Sequence, residues 1–409
     1  MMAITIDSQA PKILFHVSRY WPATTGAALH TREIIQHLQR QHHIGVIRHC
    51  ADESCSKEIA LTKYRSNTLM DGKIPIYQVA PNEPWRRSIK YFSSYYSNYR
   101  LTRPIYHNLF RVSVANQLRQ IVPNYQILHA VYSGLTCSVE AVVEIAKQLR
   151  LPFVLTPLPH ITSGKEILSS SLRRLYQRAD ALIAMTSFER DWLIEQNLNA
   201  DRIHICPIGP LVAKEANPAE FRQQNQLGDH PIVLFIGRQV SYKGYQQLCE
   251  AADRIWSEQP ETRFVFLGPH TEASATYFTQ QSDRRIVNLG KVSLAVKTSA
   301  LAACDILCVP SIKESLGGIY LEAWLHKKPV VAADIPAIHS VITDRQDGLI
   351  VKQNAQAIAS SLLQLLQDPL ARKQMGESGY AKVRTNYDWN FLADRLQSIY
   401  QNLLTRSSS

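Results

Sequence analysis

No apolar run in the 409 residues approaches the ~18 positions that a bilayer-spanning helix needs. The opening MMAITIDSQAPK has neither the basic segment nor the apolar stretch of a secretory leader. The expected location is therefore the cytoplasm. Glycine is scarce, 16 residues or about 4% against a usual ~7%, which excludes collagen-like and glycine-rich low-complexity chains. The seven cysteines (Cys50, Cys55, Cys137, Cys206, Cys249, Cys304 and Cys308) include no C-x-x-C pair, and several lie in apolar runs such as CDILCVP. They read as buried, reduced thiols rather than as a disulfide or zinc framework. There is no D-x-D near an apparent strand end and no His, Asp and Glu cluster at metal-ligand spacing, so neither a bound metal nor another cofactor is expected.

Acidic residues are the minority, 34 against 45 basic, and the imbalance is uneven. Residues 1–210 hold 24 Lys and Arg against 15 Asp and Glu, whereas residues 211–409 hold 21 against 19. Within the first half, 85–122 carries Arg86, Arg87, Lys90, Arg100, Arg103, Arg111 and Arg119 with no acid, interleaved with Tyr91, Phe92, Tyr95, Tyr96, Tyr99 and Tyr106. That composition suits an anionic lipid surface, an acidic acceptor or nucleic acid, and equally a solvated basic face with tyrosines half in the core. No nucleic-acid-binding motif accompanies it, and nucleic acid is not an expected partner.

Apolar runs and helical periodicities alternate through the first half: ILFHV, a helix through Leu29 to Leu38, YQILHAV, VEAVVEIAKQL, PFVLTPLPH, a helix ending near Asp180, and ALIAMTS. Residues 206–230, rich in Pro, Gln and Asn, interrupt the series. It then restarts with IVLFIG, a helix through Leu248 and Ala252, RFVFLG, VNLG, a helix around Ala300, DILCVPS, a helix around Glu322, PVVAAD and DGLIV, and ends in helix from Ala355 to about Leu404. Such alternation predicts an α/β chain of two doubly wound, Rossmann-like domains with a cleft between them. The expected divisions are 1–210, 211–385 and a C-terminal helix, 386–409, packing back on the first domain.

Chemistry concentrates after two strands of the second domain. Gly237-Arg238 and Lys243-Gly244 follow IVLFIG, and SIKESLGGIYLEAW follows DILCVP. Two cations, a helix start at Gly317 and Gly318, and two carboxylates, Glu314 and Glu322, form a trap for a diphosphate flanked by acceptors for sugar hydroxyls.

These motifs, together with KKPVVAADIPAIHSVITDRQDGLIV, RADALIAMTSFERDWLIEQNLNADRIHICPIGP and WPATTGAALHTREIIQHL, resemble the family 4 retaining glycosyltransferases of the GT-B fold. The resemblance covers most of the chain. It departs at Gly26-Ala27, where the family often has two glycines, at Pro207-Ile208-Gly209, and at Val131 after His129-Ala130; His129 reads as structural. It implies a nucleoside-diphosphate sugar as co-substrate, an acceptor-side first domain and a donor-side second domain. Arg238 and Lys243 would clamp the diphosphate, and the backbone from Gly317 through Gly318 to Ile319 would hold the distal phosphate. Glu322 would bind the ribose and Glu314 the hydroxyls of the sugar. His160 would lie near the sugar carbon, while Gly26 and Gly237 would permit close approach to the donor. The acceptor would be a glycan, a lipid-linked molecule or a small molecule, with peripheral contact at the inner membrane face one alternative. A sugar-nucleotide epimerase or a sucrose- or trehalose-type synthase is a rival on the same fold. A non-enzymatic polyanion-binding protein is a rival of another class.

Overall fold

The structure is a computed structural model and describes residues 10–52, 61–83, 85–95, 102–132, 134–159, 161 and 164–408. Branched aliphatic runs too short for buried helices form the strands, and most are buried on both faces, as parallel sheets covered by helices require. In the first sheet these are β1 (Lys12–Val17), β2 (His43–Arg48), β3 (Asn67–Asp71), β4 (Ile74–Gln78), β5 (Ile127–Val131), β6 (Phe153–Thr156), β7 (Ala181–Ala184) and β8 (Ile203–Ile205), ordered β3-β4-β2-β1-β5-β6-β7-β8. The second sheet holds β9 (Ile232–Ile236), β10 (Arg263–Leu267), β11 (Ile286–Gly290), β12 (Ile306–Val309), β13 (Val330–Ala333) and β14 (Gly348–Val351), ordered β11-β10-β9-β12-β13-β14. Among the described residues pairing in the two sheets is parallel except between β3 and β4, an edge hairpin that the alternating pattern did not announce.

The helices of the first half are α1 (Gly26–Leu38), α2 (Trp85–Tyr95), α3 (Thr102–Ile121), α4 (Thr136–Gln148), α5 (Ser170–Gln177) and α6 (Ser187–Glu195). Then follow α7 (Pro218–Gln224), α8 (Tyr245–Trp256), α9 (Glu272–Thr279), α10 (Leu294–Ala303), α11 (Gly318–Leu325), α12 (Pro336–His339), α13 (Ala355–Gln367), α14 (Pro369–Asn386) and α15 (Trp389–Ser408). The interrupting stretch holds α7, whose start is fixed by Pro218 in the first turn and by Asn217, which accepts from the Glu220 amide at 3.2 Å.

One face of the first sheet packs on α3 and α4 through Phe110, Val114, Leu118 and Val142. The other packs on α1 and, from the far end of the chain, on Leu392, Leu396, Ile399, Tyr400 and Leu403 of α15. His129 has a structural part in that junction, contacting the Tyr400 hydroxyl at 2.6 Å and the Thr156 hydroxyl at 2.8 Å. Burial pushes its imidazole down to about 3, so it is neutral at physiological pH. Cys50, Cys137, Cys206, Cys249, Cys304 and Cys308 are buried and unbridged; Cys55 lies outside the described residues. Among the described residues no helix is long and apolar enough to cross a membrane.

Candidate active site between the two sheets

Strand β9 has β10 on one side and β12 on the other, so successive connections leave it in opposite directions. A crevice opens at such a switch point beyond the carboxyl ends of the strands. The loops that border it, 237–244 after β9 and 310–317 after β12, are stitched together. The Ile312 amide donates to the Tyr242 carbonyl at 3.0 Å, and the Gln353 amide nitrogen donates to the carbonyls of Tyr242 at 2.9 Å and Pro310 at 2.7 Å.

This brings Arg238, Lys243 and Glu314 to one place. Arg238 is exposed, its Nη2 donating to the Tyr242 hydroxyl at 2.9 Å. Lys243 Nζ is paired directly with Glu314 Oε1, both side chains mostly shielded from water. The residue expected to clamp the diphosphate and the residue expected to bind the sugar therefore pair with each other. Gly237 lies at the base of the same loop, its amide bound to the Leu267 carbonyl at 2.9 Å.

Gly317 caps α11 at φ 75°, the left-handed region, where an added Cβ would also meet the Tyr320 ring at 2.3 Å. Gly318 lacks a side chain for another reason. A Cβ there would stand 3.3 Å from Ile208 of the linker and 3.6 Å from His30 of α1, so the two domains approach each other across it. Ile319 is half-buried against the second-domain core. Glu322, one turn into α11, is 4% exposed and lies 2.6 Å from Lys297 Nζ, which also donates to the Leu211 carbonyl at 3.0 Å. Burial pushes the Glu322 carboxyl above its ordinary value, and the Lys297 ammonium pulls it back. Space over Gly26 at the start of α1 is open, with nothing within 4 Å of an added Cβ. His160 lies outside the described residues.

Three participants escape a reading of the motifs. Lys297 looks like any helix lysine until Glu322 is beside it. His30 lies one turn beyond Gly26, and burial pushes its imidazole down to about 3, with the Lys297 charge adding to the fall. Glu189 follows Thr186 in the spacing of a capping box, whose sequence signal announces only a helix start. In the first domain, the Pro159 carbonyl accepts from Ser315 Oγ of the second at 3.1 Å, a direct hydrogen bond between the domains. Leu158 beside it adopts φ 45° and packs on both cores.

The sequence pattern of the glycosyl transferases group 1 matches residues 217–382, and that of the glycosyl transferase 4-like domain matches residues 25–209. The chain belongs to the family 4 glycosyltransferases. It is 27% identical over 241 residues to an alpha-D-kanosaminyltransferase of Streptomyces kanamyceticus, covering 56% of this chain and 62% of that one. It is 28% identical over 240 residues to a phosphatidyl-myo-inositol mannosyltransferase of Mycobacterium leprae, covering 58% and 63%. The match thus spans under two thirds of either relative. The fold is GT-B: a crystal structure of Anabaena Alr3699/HepE with UDP-glucose superposes with a TM-score of 0.72 at 17% identity, covering 96% of this chain and 99% of that one.

Proposed function

We propose that this glycosyltransferase moves a sugar from a nucleoside-diphosphate sugar to an acceptor held by the first domain, with retention at the anomeric carbon and without a metal ion. The observation that carries the reading is the meeting of Arg238, the Lys243–Glu314 pair and the α11 start at the switch point of the second sheet. The solved neighbour bound to UDP-glucose and the kanosaminyl- and mannosyltransferase relatives are in keeping with a sugar donor of this class.

The donor diphosphate seats on the backbone amides from Gly317 to Ile319, where the helix partial charge favours an anion, and Arg238 and Lys243 balance its charge. As the glycosidic bond to the diphosphate breaks, negative charge grows on the leaving oxygen. Preorganised cations and amides there are commonly the largest catalytic term, several kcal/mol for one donor. Lys243 is released to the diphosphate when sugar hydroxyls take its place on Glu314, so one binding event arms the other. Glu322 accepts from the ribose hydroxyls. The acceptor hydroxyl attacks from the face the diphosphate leaves, and the departing phosphate oxygen takes its proton. His160 is assigned to the neighbourhood of the sugar carbon.

Turnover of UDP-glucose and of GDP-mannose in EDTA, with the product's anomeric configuration followed by proton NMR, tests this. Retained configuration with unchanged rate in EDTA is expected; inversion or a strict metal requirement contradicts the reading. Product analysis also separates transfer to a glycan from epimerisation or disaccharide synthesis.

An anionic acceptor environment has its own support. On α3 the buried face holds Tyr106, Phe110, Val114 and Leu118, while Arg103, Ile105, Arg111, Val112 and Arg119 are exposed. On α2, Trp85, Arg87, Lys90 and Tyr91 are exposed around a buried Ile89. Tyr106 is thus a core residue and Tyr91 a surface one; Tyr96, Tyr99 and Arg100 lie outside the described residues. Flotation with anionic but not with neutral vesicles is expected, and equal behaviour in both removes the membrane contact.

A further inference from the structure

Gln239 follows Arg238 directly in the loop after β9 and is fully buried. A glutamine rarely gives up all contact with water unless its amide is engaged on both sides. Here the side chain reaches past the end of β10 to β11. Its Nε2 donates to Asn288 Oδ1 at 2.7 Å, and its Oε1 accepts from His270 Nδ1 at 2.7 Å and from Asn288 Nδ2 at 3.4 Å. An amide oxygen carries no hydrogen, so Nδ1 of His270 is the protonated ring nitrogen of the pair. The Gln239 backbone is held as firmly as its side chain. Its amide donates to the Pro269 carbonyl at 3.0 Å, and its carbonyl accepts from the Thr271 hydroxyl at 3.1 Å. Thr271 is fixed in turn as the cap of α9, its hydroxyl accepting from the Ser274 amide at 3.2 Å. On the other side of Arg238, the Gly237 carbonyl lies so close to the turn after β10 that a Cβ on Gly268 would meet it at 1.9 Å. Arg238 is exposed, yet both of its chain neighbours are fastened to the turn after β10, and Gln239 to β11 as well.

We propose that Gln239 is a positioning residue for Arg238: its amide network with Asn288 and His270 fixes the backbone from which the guanidinium projects, so that the cation meets the donor diphosphate from one direction. The inference rests on the reading of Arg238 as a diphosphate ligand. Strands β9, β10 and β11 are already joined by their own parallel ladders, so sheet order does not call for the amide. What the amide holds, and the ladders do not, is the loop beyond the strand ends. An arginine on a mobile loop must order backbone and side chain together when the anion arrives, whereas one on a fixed loop orders its side-chain torsions alone. A buried network in which donor and acceptor are both satisfied is rigid in this way, and removing its central member loosens every group that leaned on it. The two halves of the clamp differ in reach. Asn288 ties Gln239 to a strand, while the exposed His270 ties it to a turn and is the lesser support.

Two measurements on the full chain test it, with thermal melts confirming that each variant is folded. The first is amide hydrogen exchange without ligand, read by mass spectrometry. In Gln239→Met, which keeps the bulk and removes the amide, residues 237–240 are expected to exchange about tenfold faster while β9 and β10 stay as protected as in the wild type. The second is a calorimetric titration with UDP and with GDP in EDTA. For the nucleotide that binds, Gln239→Met is expected to weaken affinity about tenfold in the wild-type background and by less than about twofold on top of Arg238→Ala. A residue that merely supports the fold would cost the same in both backgrounds. Equal losses, or unchanged exchange at 237–240 in the folded variant, overturn the inference. His270→Ala removes one support at an exposed position; an exchange rate raised about threefold is expected, and it carries the test should Gln239→Met melt below the assay temperature. If neither nucleotide binds the wild type, or binding is indifferent to Arg238, the donor reading falls by itself and the exchange rates alone decide whether the clamp exists.

Discussion

The loops of the second domain and the helices α2 and α3 of the first treat charge in opposite ways. In the second domain two lysines are committed to carboxylates, Lys243 after β9 to Glu314 and Lys297 on α10 to Glu322, with all four side chains under a fifth exposed and Glu322 almost wholly buried. On α2 and α3, Arg87, Arg111 and Arg119 stand exposed with no acid in the segment. A buried pair has fixed geometry and punishes the loss of either member, which suits a ligand that must be placed to a fraction of an ångström. An exposed basic face gives attraction without register, which suits a surface or a variable acceptor. Substitutions on the two sides should therefore fail in different ways.

The largest effect is expected from Arg238→Ala and Lys243→Ala, each lowering donor turnover by about 10²–10³-fold, with little change in melting temperature for the exposed Arg238 and a lower one for Lys243, whose loss leaves Glu314 without its cation. If either instead unfolds the chain with turnover per folded molecule intact, the donor-side contrast breaks. Next comes Lys297→Met, which leaves Glu322 buried without its cation. A loss of about 3 kcal/mol is expected in urea unfolding at pH 7. That loss should shrink as pH falls, because the Glu322 carboxyl, already raised by burial, then takes a proton and the unfavourable charge vanishes. Glycines at the α11 start follow. Gly317→Ala forces a side chain into φ 75° against Tyr320 and is expected to cost ~1–2 kcal/mol and to weaken nucleotide binding. Gly318→Ala needs Ile208 to shift only by tenths of an ångström, so a smaller loss is expected, felt in domain approach rather than in local stability. The smallest change in stability, within ~0.5 kcal/mol, belongs to the combined Arg87, Arg111 and Arg119→Gln variant. Nucleotide affinity should be unchanged and flotation on anionic vesicles lost, and a matching loss of nucleotide affinity would blur the contrast.

That Arg238, Lys243 and Glu314 come together was legible in the chain because each lies shortly after a strand of one domain, and strand ends are brought together by a parallel sheet. The strand series of the second domain was legible for a related reason: IVLFI, FVFL, ILCV and VVAA are continuous apolar runs. The β3–β4 hairpin was not, because β3 is an edge strand with four of its five residues at least partly exposed, and NTLMD carries no such run. His30 and Lys297 stayed hidden because their neighbours lie on other elements. A lone histidine in a helix and a helix lysine look ordinary in any sequence until packing supplies Gly318 and Glu322.

The most direct test of the central claim is a calorimetric titration of the wild type and of Arg238→Ala with UDP, GDP and ADP in EDTA. Selective binding of one nucleotide to the wild type, weakened at least tenfold in Arg238→Ala, is the expected result. Binding of none, or binding indifferent to Arg238, would contradict a donor site at the switch point of the second sheet.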